Sequence, residues 1–203
     1  MIKTIDHLFA GSLIISCKLP NYLEWVRETL FALYKYKKDF KYSHLISNRW
    51  ENTYLPIDLV PSVKIPMKIA RCIAKEKWNL STVALFEPFP KKSHSLPPFW
   101  FNIAKAGEST GIHDHAKLAA ISGVVYLECK KNSGDLFFRK EGFPDKLIEP
   151  QVGNMILFPS ALKHGAGSPG VQRASPSIQL TFRRISLVWF PSNETAVASR
   201  FAS

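Results

Sequence analysis

Apolar and polar positions follow two different rhythms along this chain, and the change comes near residue 80. Before it, Leu8 to Leu19 has the apolar character of a strand. Pro20-Asn21 then opens a helix predicted from Tyr22 to about Tyr36, with Leu23, Val26, Leu30, Leu33 and Tyr34 as its apolar face. A second helix is predicted from about Ser62 to about Trp78, with Ile69, Ala70, Ile73 and Ala74 at helical spacing. Pro66 must lie in its first turn or before it, because a proline farther in removes an intrahelical hydrogen bond. After residue 80, short apolar or alternating runs are separated by Gly, Pro and Asn: Thr82 to Phe86, Trp100 to Ala106, Ala119 to Cys129, Asp135 to Arg139, Met155 to Phe158 and Ser177 to Phe190. That spacing predicts an antiparallel β barrel or sandwich. The expectation is one domain over 1–203: a strand and helices over 1–79, a β core over 80–190 and a tail over 191–203.

Composition narrows the class. The 203 residues suit one domain, and a 46% hydrophobic content with 14 Phe and 5 Trp supplies a packed core. No apolar run is long enough to span a bilayer, and the first residues lack a signal peptide's basic segment followed by an apolar stretch. Three widely spaced cysteines (Cys17, Cys72 and Cys129) fit neither a disulfide framework nor a zinc site. The chain therefore reads as cytoplasmic with reduced thiols. A net charge of +11 permits anionic partners. Its densest patch, Lys35-Tyr36-Lys37-Lys38-Asp39-Phe40-Lys41, reads more simply as a solvated helix end than as a nucleic-acid surface.

The chemistry concentrates in Gly107-Glu108-Ser109-Thr110-Gly111-Ile112-His113-Asp114-His115. On an extended backbone, residues i and i+2 point the same way, so two imidazoles can converge on one metal while Asp114 faces away. A bulge would present Asp114 instead. Alone, a His-x-His pair serves ligation and plain structure about equally. A turn and short strand, Gly153 to Pro159, followed by a further turn, deliver His164. In a jelly roll this strand can run beside the first and complete a three-ligand set with open positions. Arg184 and Ser186 share one face of the last strand with Phe182 and Val188. A guanidinium directed inward there needs a carboxylate partner. The opposite parity, with Ile185, Leu187 and Trp189 inward and Arg184 in solvent, fits the strand equally well.

Together, Trp100-Phe101-Asn102, Gly107, His113-Asp114-His115, Ile121 to Leu127, Ser133 to Phe138, Gly153, Phe158-Pro159, His164 and Arg184-Ile185-Ser186 form an ordered pattern. It resembles the 2-oxoglutarate/Fe(II)-dependent oxygenases of bacteria and phages, distant relatives of prolyl hydroxylases. Ser47-Asn48-Arg49-Trp50 looks like an element those proteins carry ahead of the barrel. The resemblance implies a mainly β, double-stranded β-helix (jelly-roll, cupin-like) fold with an N-terminal helical segment packed on it. It also implies Fe(II) held by His113, His115 and His164, and 2-oxoglutarate as cosubstrate, its far carboxylate on Arg184 and Ser186. Tyr126 and Asn102 become candidate cosubstrate contacts. The implied reaction is oxidative decarboxylation of 2-oxoglutarate coupled to hydroxylation of a C–H bond in a small-molecule, amino-acid or peptide substrate. A nucleic-acid substrate is less favoured, no membrane partner is implied, and a homodimer is compatible with the fold.

Two departures stand out. The commoner triad has a carboxylate where this chain has His115, and an all-imidazole set compensates a divalent cation less well. The separation between His164 and Arg184 is long, with Ser168-Pro169-Gly170 and Ala174-Ser175-Pro176 inside it, like an inserted loop near the mouth of the site. One rival reading is a metal cupin without 2-oxoglutarate: Gly107 and His113-x-His115 fit its first motif, but Ala119-Ala120 stand where a Glu is expected. The other is a barrel retained for binding alone. His7, His44 and His94 read as ordinary surface or loop residues, Glu108 as an exposed loop carboxylate more readily than as an acceptor for an imidazole N–H, and Trp50 as packing or as a residue at the pocket mouth.

Overall fold

The computed structural model describes residues 2–46, 48–80, 99–116, 119–130, 133–167 and 177–185, with 182–185 described by backbone alone. The predicted strand Thr82–Phe86, His94, Ser47, the 168–176 loop and the stretch 186–203 lie outside the described residues.

The apolar run expected as one strand is a hairpin, β1 (Thr4–Phe9) and β2 (Ser12–Lys18). Ala10 and Gly11 both take left-handed backbone angles, φ 49° and 81°, the handedness that a two-residue hairpin turn requires. Alanine at the first turn position hid the turn, since Asn or Gly is the usual signal there. Helix α1 (Tyr22–Lys35) and helix α2 (Lys64–Lys77) fall where predicted, with Pro66 in the first turn of α2. The buried face of α1 is rotated from the expected one: Trp25, Val26, Thr29 and Leu33 are buried, whereas Leu23 and Tyr34 are exposed. At the centre of that face is a polar residue. The Thr29 hydroxyl donates to the Trp25 carbonyl and pairs with Ser62 Oγ, both at 2.7 Å, so it is satisfied inside the core. The Lys35–Lys41 segment is a helix end, a short 3-10 turn and the start of β3 (Lys41–Ile46), as the solvated reading expected.

The remaining strands are β4 (Arg49–Tyr54), β5 (Phe99–Ala104), β6 (Thr110–His113), β7 (Ile121–Cys129), β8 (Leu136–Arg139), β9 (Lys146–Ile148), β10 (Asn154–Pro159), β11 (Lys163–Ala166) and β12 (Ser177–Ile185). They form an eight-stranded sheet in the order β1-β2-β10-β7-β12-β5-β4-β3 and a four-stranded sheet in the order β6-β11-β8-β9. Every pairing among the described residues is antiparallel.

Period-two alternation sorts the large sheet's side chains into two cores. On one face Ile15, Phe99, Phe101, Val125, Leu127, Met155, Leu157 and Leu180 pack with Trp25, Leu33, Met67, Ala70 and Ile73 of the helices. On the other, Ile14, Val124, Tyr126, Ile156 and Phe158 meet Leu136 and Phe138 of the small sheet. The inner face turns polar at Asn52, Asn102, Gln179 and Thr181, all buried. Those residues line the cavity.

Candidate metal centre

Strand β6 ends at His113, whose register partner across the small sheet is His164 on β11. The second histidine of the pair does not share the strand. His115 lies beyond β6, where its backbone N–H donates to the Ser160 carbonyl at 2.8 Å. Ser160 is in turn fixed by its N–H to the Ala120 carbonyl (2.8 Å) and by a hydroxyl contact to Ser122 (2.7 Å), with both serines fully buried. His113 thus closes the strand and His115 follows in a segment pinned to Ser160; the two imidazoles converge, as the His-x-His spacing predicts.

The ligand-type nitrogens of His113, His115 and His164 all lie within 4.8 Å of one another, the cluster of potential metal ligands found among the described residues. Ring centroids are separated by 4.9 Å (113–115), 4.4 Å (113–164) and 5.2 Å (115–164). Asp114 is exposed, and its Oδ1 accepts from the Ala116 N–H at 3.1 Å. The convergent residue is His115.

The donor set fits a metal chemically. A carbonyl can only accept, so His113 Nδ1–H donates to the Gly111 carbonyl (2.8 Å) and His164 Nδ1–H to the Leu162 carbonyl (2.9 Å). Each ring is then the tautomer whose Nε2 lone pair can bind a cation, the usual arrangement of metal-bound histidine. Burial, and then the neighbouring His113 imidazole, push the His164 pKa down to about 3, against a smaller upward pull from the Leu162 carbonyl. A neutral imidazole is the form that ligates. Aromatic edges fix the rings: Trp100 lies 5.7 Å from His115, and Phe158 lies 4.6 Å from His164.

Gly165 explains how β11 reaches β6. A Cβ there would come 2.7 Å from Phe137 Cε1 and 2.8 Å from the Thr110 carbonyl oxygen. The backbone oxygen cannot swing aside, so Gly165→Ala should force the two strands apart next to His164. The expected cost is about 1–3 kcal/mol, with weaker Mn(II) binding in a calorimetric titration. Unchanged melting and unchanged affinity would show that the strands have room to spare.

The histidines form one wall of a cavity of about 350 Å³. Its other walls are His44, Ile46, Glu51 and Asn52 from β3 and β4, Trp100 and Asn102 from β5, Val124, Leu136, and Gln179 and Thr181 from β12. Asn102, expected as a cosubstrate contact, lines this cavity; Tyr126 is fully buried in the inner apolar core and is not among the lining residues. Arg184 lies on β12, where the register with β7 becomes irregular between Arg183 and Ile185. Its side chain, and Ser186 altogether, lie outside the described residues.

Sequence reasoning missed a charged network beneath the cavity. Arg49 forms an ion pair with Glu51 and donates to Asn102 Oδ1 (3.1 Å), Thr110 Oγ1 (3.1 Å) and the Ser109 carbonyl (3.2 Å). Glu51 Oε2 accepts from Asn102 Nδ2 (3.0 Å) and Thr110 Oγ1 (3.1 Å). Glu108 approaches Arg49 Nε at 3.9 Å, so it is part of this cluster rather than a plain loop carboxylate. Opposite charges at i and i+2, as in Arg49-Trp50-Glu51, share a strand face and were the available signal. His44 is more than the ordinary surface residue the sequence suggests. It is exposed, yet it lines the cavity at a left-handed φ of 59° and accepts at Nδ1 from Asn52 Nδ2 (3.2 Å). Trp50 stacks on Tyr42 at 5.8 Å, outside the cavity.

The sequence matches no protein-family model and no curated protein. Its structure resembles that of a Pseudomonas putida prolyl-4-hydroxylase, with a TM-score of 0.59 at 15% identity, covering 84% of this chain and 92% of the other. It also resembles a Trichoplax adhaerens prolyl hydroxylase in complex with a hypoxia inducible factor oxygen degradation domain peptide fragment (TM-score 0.54, 15% identity, 83% of each chain). A third similar structure is SnoN, a non-heme alpha-ketoglutarate-dependent epimerase of nogalamycin biosynthesis (TM-score 0.54, 13% identity, 83% of this chain and 76% of the other). These likenesses fix the architecture: the chain has the double-stranded β-helix fold of the prolyl hydroxylases, with three histidines gathered at one wall of its cavity.

Proposed function

We propose that this chain is a 2-oxoglutarate-dependent Fe(II) oxygenase acting on a small molecule, an amino acid or a peptide. The observation that carries the reading is the three-imidazole cluster, with two rings held by carbonyls in the metal-binding tautomer, at the wall of a cavity. His113, His115 and His164 would hold Fe(II) by three nitrogens and leave the remaining positions open, as oxygenase chemistry requires. Fe(II) held there would supply, with 2-oxoglutarate and dioxygen, the oxidation that yields succinate, carbon dioxide and a hydroxylated carbon. The protein's own part is to hold and orient. Trp100 and Phe158 restrict the imidazoles, while Val124 and Leu136 keep part of the cavity wall apolar. Three free cysteines fit a reducing, cytoplasmic setting.

Arg184 and Ser186 are proposed to receive the far carboxylate of 2-oxoglutarate, with Asn102 on the wall of the same cavity. Arg184→Ala is then expected to raise the apparent constant for 2-oxoglutarate by roughly 10–150-fold, the usual effect of losing a charge-assisted hydrogen bond, with metal affinity unchanged. An unaltered constant would remove Arg184 from the site.

Uncoupled turnover tests the reading directly: Fe(II), 2-oxoglutarate and ascorbate are supplied, and succinate is measured. Succinate above the metal-free control supports it. The neutral triad favours one second reading, a metal cupin that works without 2-oxoglutarate. Tight metal binding with no succinate would point there.

A further inference from the structure

Three carboxamides stand in a row across the inner face of the large sheet. Gln179 on β12 is the register partner of Asn102 on β5 and of Tyr126 on β7. The pairing Thr53–Phe101 places Asn52 beside Asn102 on the next strand. Adjacent strands lie about 4.8 Å apart, so the row spans roughly 10 Å. All three amides are buried and line the cavity.

Two of the amides are committed. Asn102 is held by Arg49, Glu51 and Thr110, and Asn52 Nδ2 donates to His44 and Tyr54. Gln179 differs. It is 4% exposed, and among the described residues its Nε2 has no hydrogen-bond partner. A buried amide donor left unsatisfied is costly, so such groups are rare unless something else satisfies them. Here the unsatisfied donor opens on a cavity.

We propose that Gln179 Nε2–H is a ligand-binding donor that takes a carboxylate oxygen of the 2-oxo acid occupying this cavity. The proposal rests on the reading of the protein as a 2-oxoglutarate-dependent oxygenase and adds a contact to it. Gln179 occupies the strand position beside Asn102, so one donor there extends a polar floor across β4, β5 and β12. The neighbouring inward residue on β12, Thr181, also lines the cavity and lies between Trp100 and Val124.

The test uses full-length protein loaded with Mn(II), titrated calorimetrically with 2-oxoglutarate. Gln179→Leu keeps approximate size and removes the donor; Gln179→Glu turns it into a negatively charged acceptor. Expected are unchanged Mn(II) affinity in both variants, 2-oxoglutarate binding weakened roughly 10–100-fold in Gln179→Leu, and a larger loss in Gln179→Glu. Equal 2-oxoglutarate affinity in Gln179→Leu and wild type overturns the assignment. Parallel loss of Mn(II) and 2-oxoglutarate overturns it too, because Gln179 would then be supporting the histidine wall. Wild-type protein that binds Mn(II) but not 2-oxoglutarate would instead sink the underlying oxygenase reading, an outcome visible before any variant is made.

Discussion

His164→Ala is expected to abolish tight binding of Fe(II) or Mn(II) while leaving the fold largely in place. His164 is the most deeply buried of the three rings, in register with His113 and with the edge-on ring of Phe158 at 4.6 Å. Two remaining imidazoles, one of them partly exposed, do not make a facial set. The loss should exceed the roughly 10–100-fold that removing a hydrogen-bond partner of a metal ligand costs. Isothermal titration with Mn(II) reads it, and wild-type affinity in the variant would eliminate the proposed centre. A metal-free measurement checks the same residue independently. The folded-state pKa of His164, about 3, lies below its ordinary value of 6.5. Between those values the unfolded chain carries the extra proton, so stability rises with pH across that window and is lost as pH falls through it. His164→Ala should flatten that slope in chemical denaturation of the metal-free protein.

The second large effect is expected from Arg49→Leu. The Arg49 and Glu51 side chains are only 9% and 7% exposed, so removing the guanidinium strands a buried carboxylate. It also releases the Ser109 carbonyl and Thr110, the entry to β6 and its histidine. Breaking one partner of a buried pair costs about 3–5 kcal/mol, or roughly 6–20 °C of melting temperature for a chain of this size. The double variant Arg49→Leu/Glu51→Leu should recover part of that loss, because the stranded charge is gone. A wild-type melting curve for Arg49→Leu would mean that solvent reaches this cluster freely.

The β core was legible because alternation and turn residues are local signals. Five of the predicted runs coincide with β5, β7, β8, β10 and β12 to within two residues, apart from the end of the last, which lies outside the described residues. The three histidines were legible for a related reason: few residue types ligate metals, and their order along a jelly roll limits the combinations. Other features were not legible. The face of α1 was misjudged because Thr29 looks polar until Ser62, distant in sequence, satisfies it. β3 and β4 were missed because Lys41–Ile46 and Arg49–Tyr54 mix charge, amide and aromatic residues, and their polar inner face makes sense only beside a cavity. Gln179 was passed over for the same reason. A lone glutamine carries no spacing signal, and its unsatisfied amide exists only once β5, β7 and β12 are side by side.

The three clustered histidines are anchored to different leaves of the sandwich. His113 and His164 belong to the four-stranded sheet, whereas the backbone of His115 hangs from Ser160, immediately after β10 of the eight-stranded sheet. An ion shared by all three would act as a rivet between the leaves. Occupancy should therefore be felt mechanically as well as chemically. The His115 and Ser160 amides would exchange with deuterium more slowly once the rivet is in place, and heat resistance would climb with free cation concentration as mass action dictates.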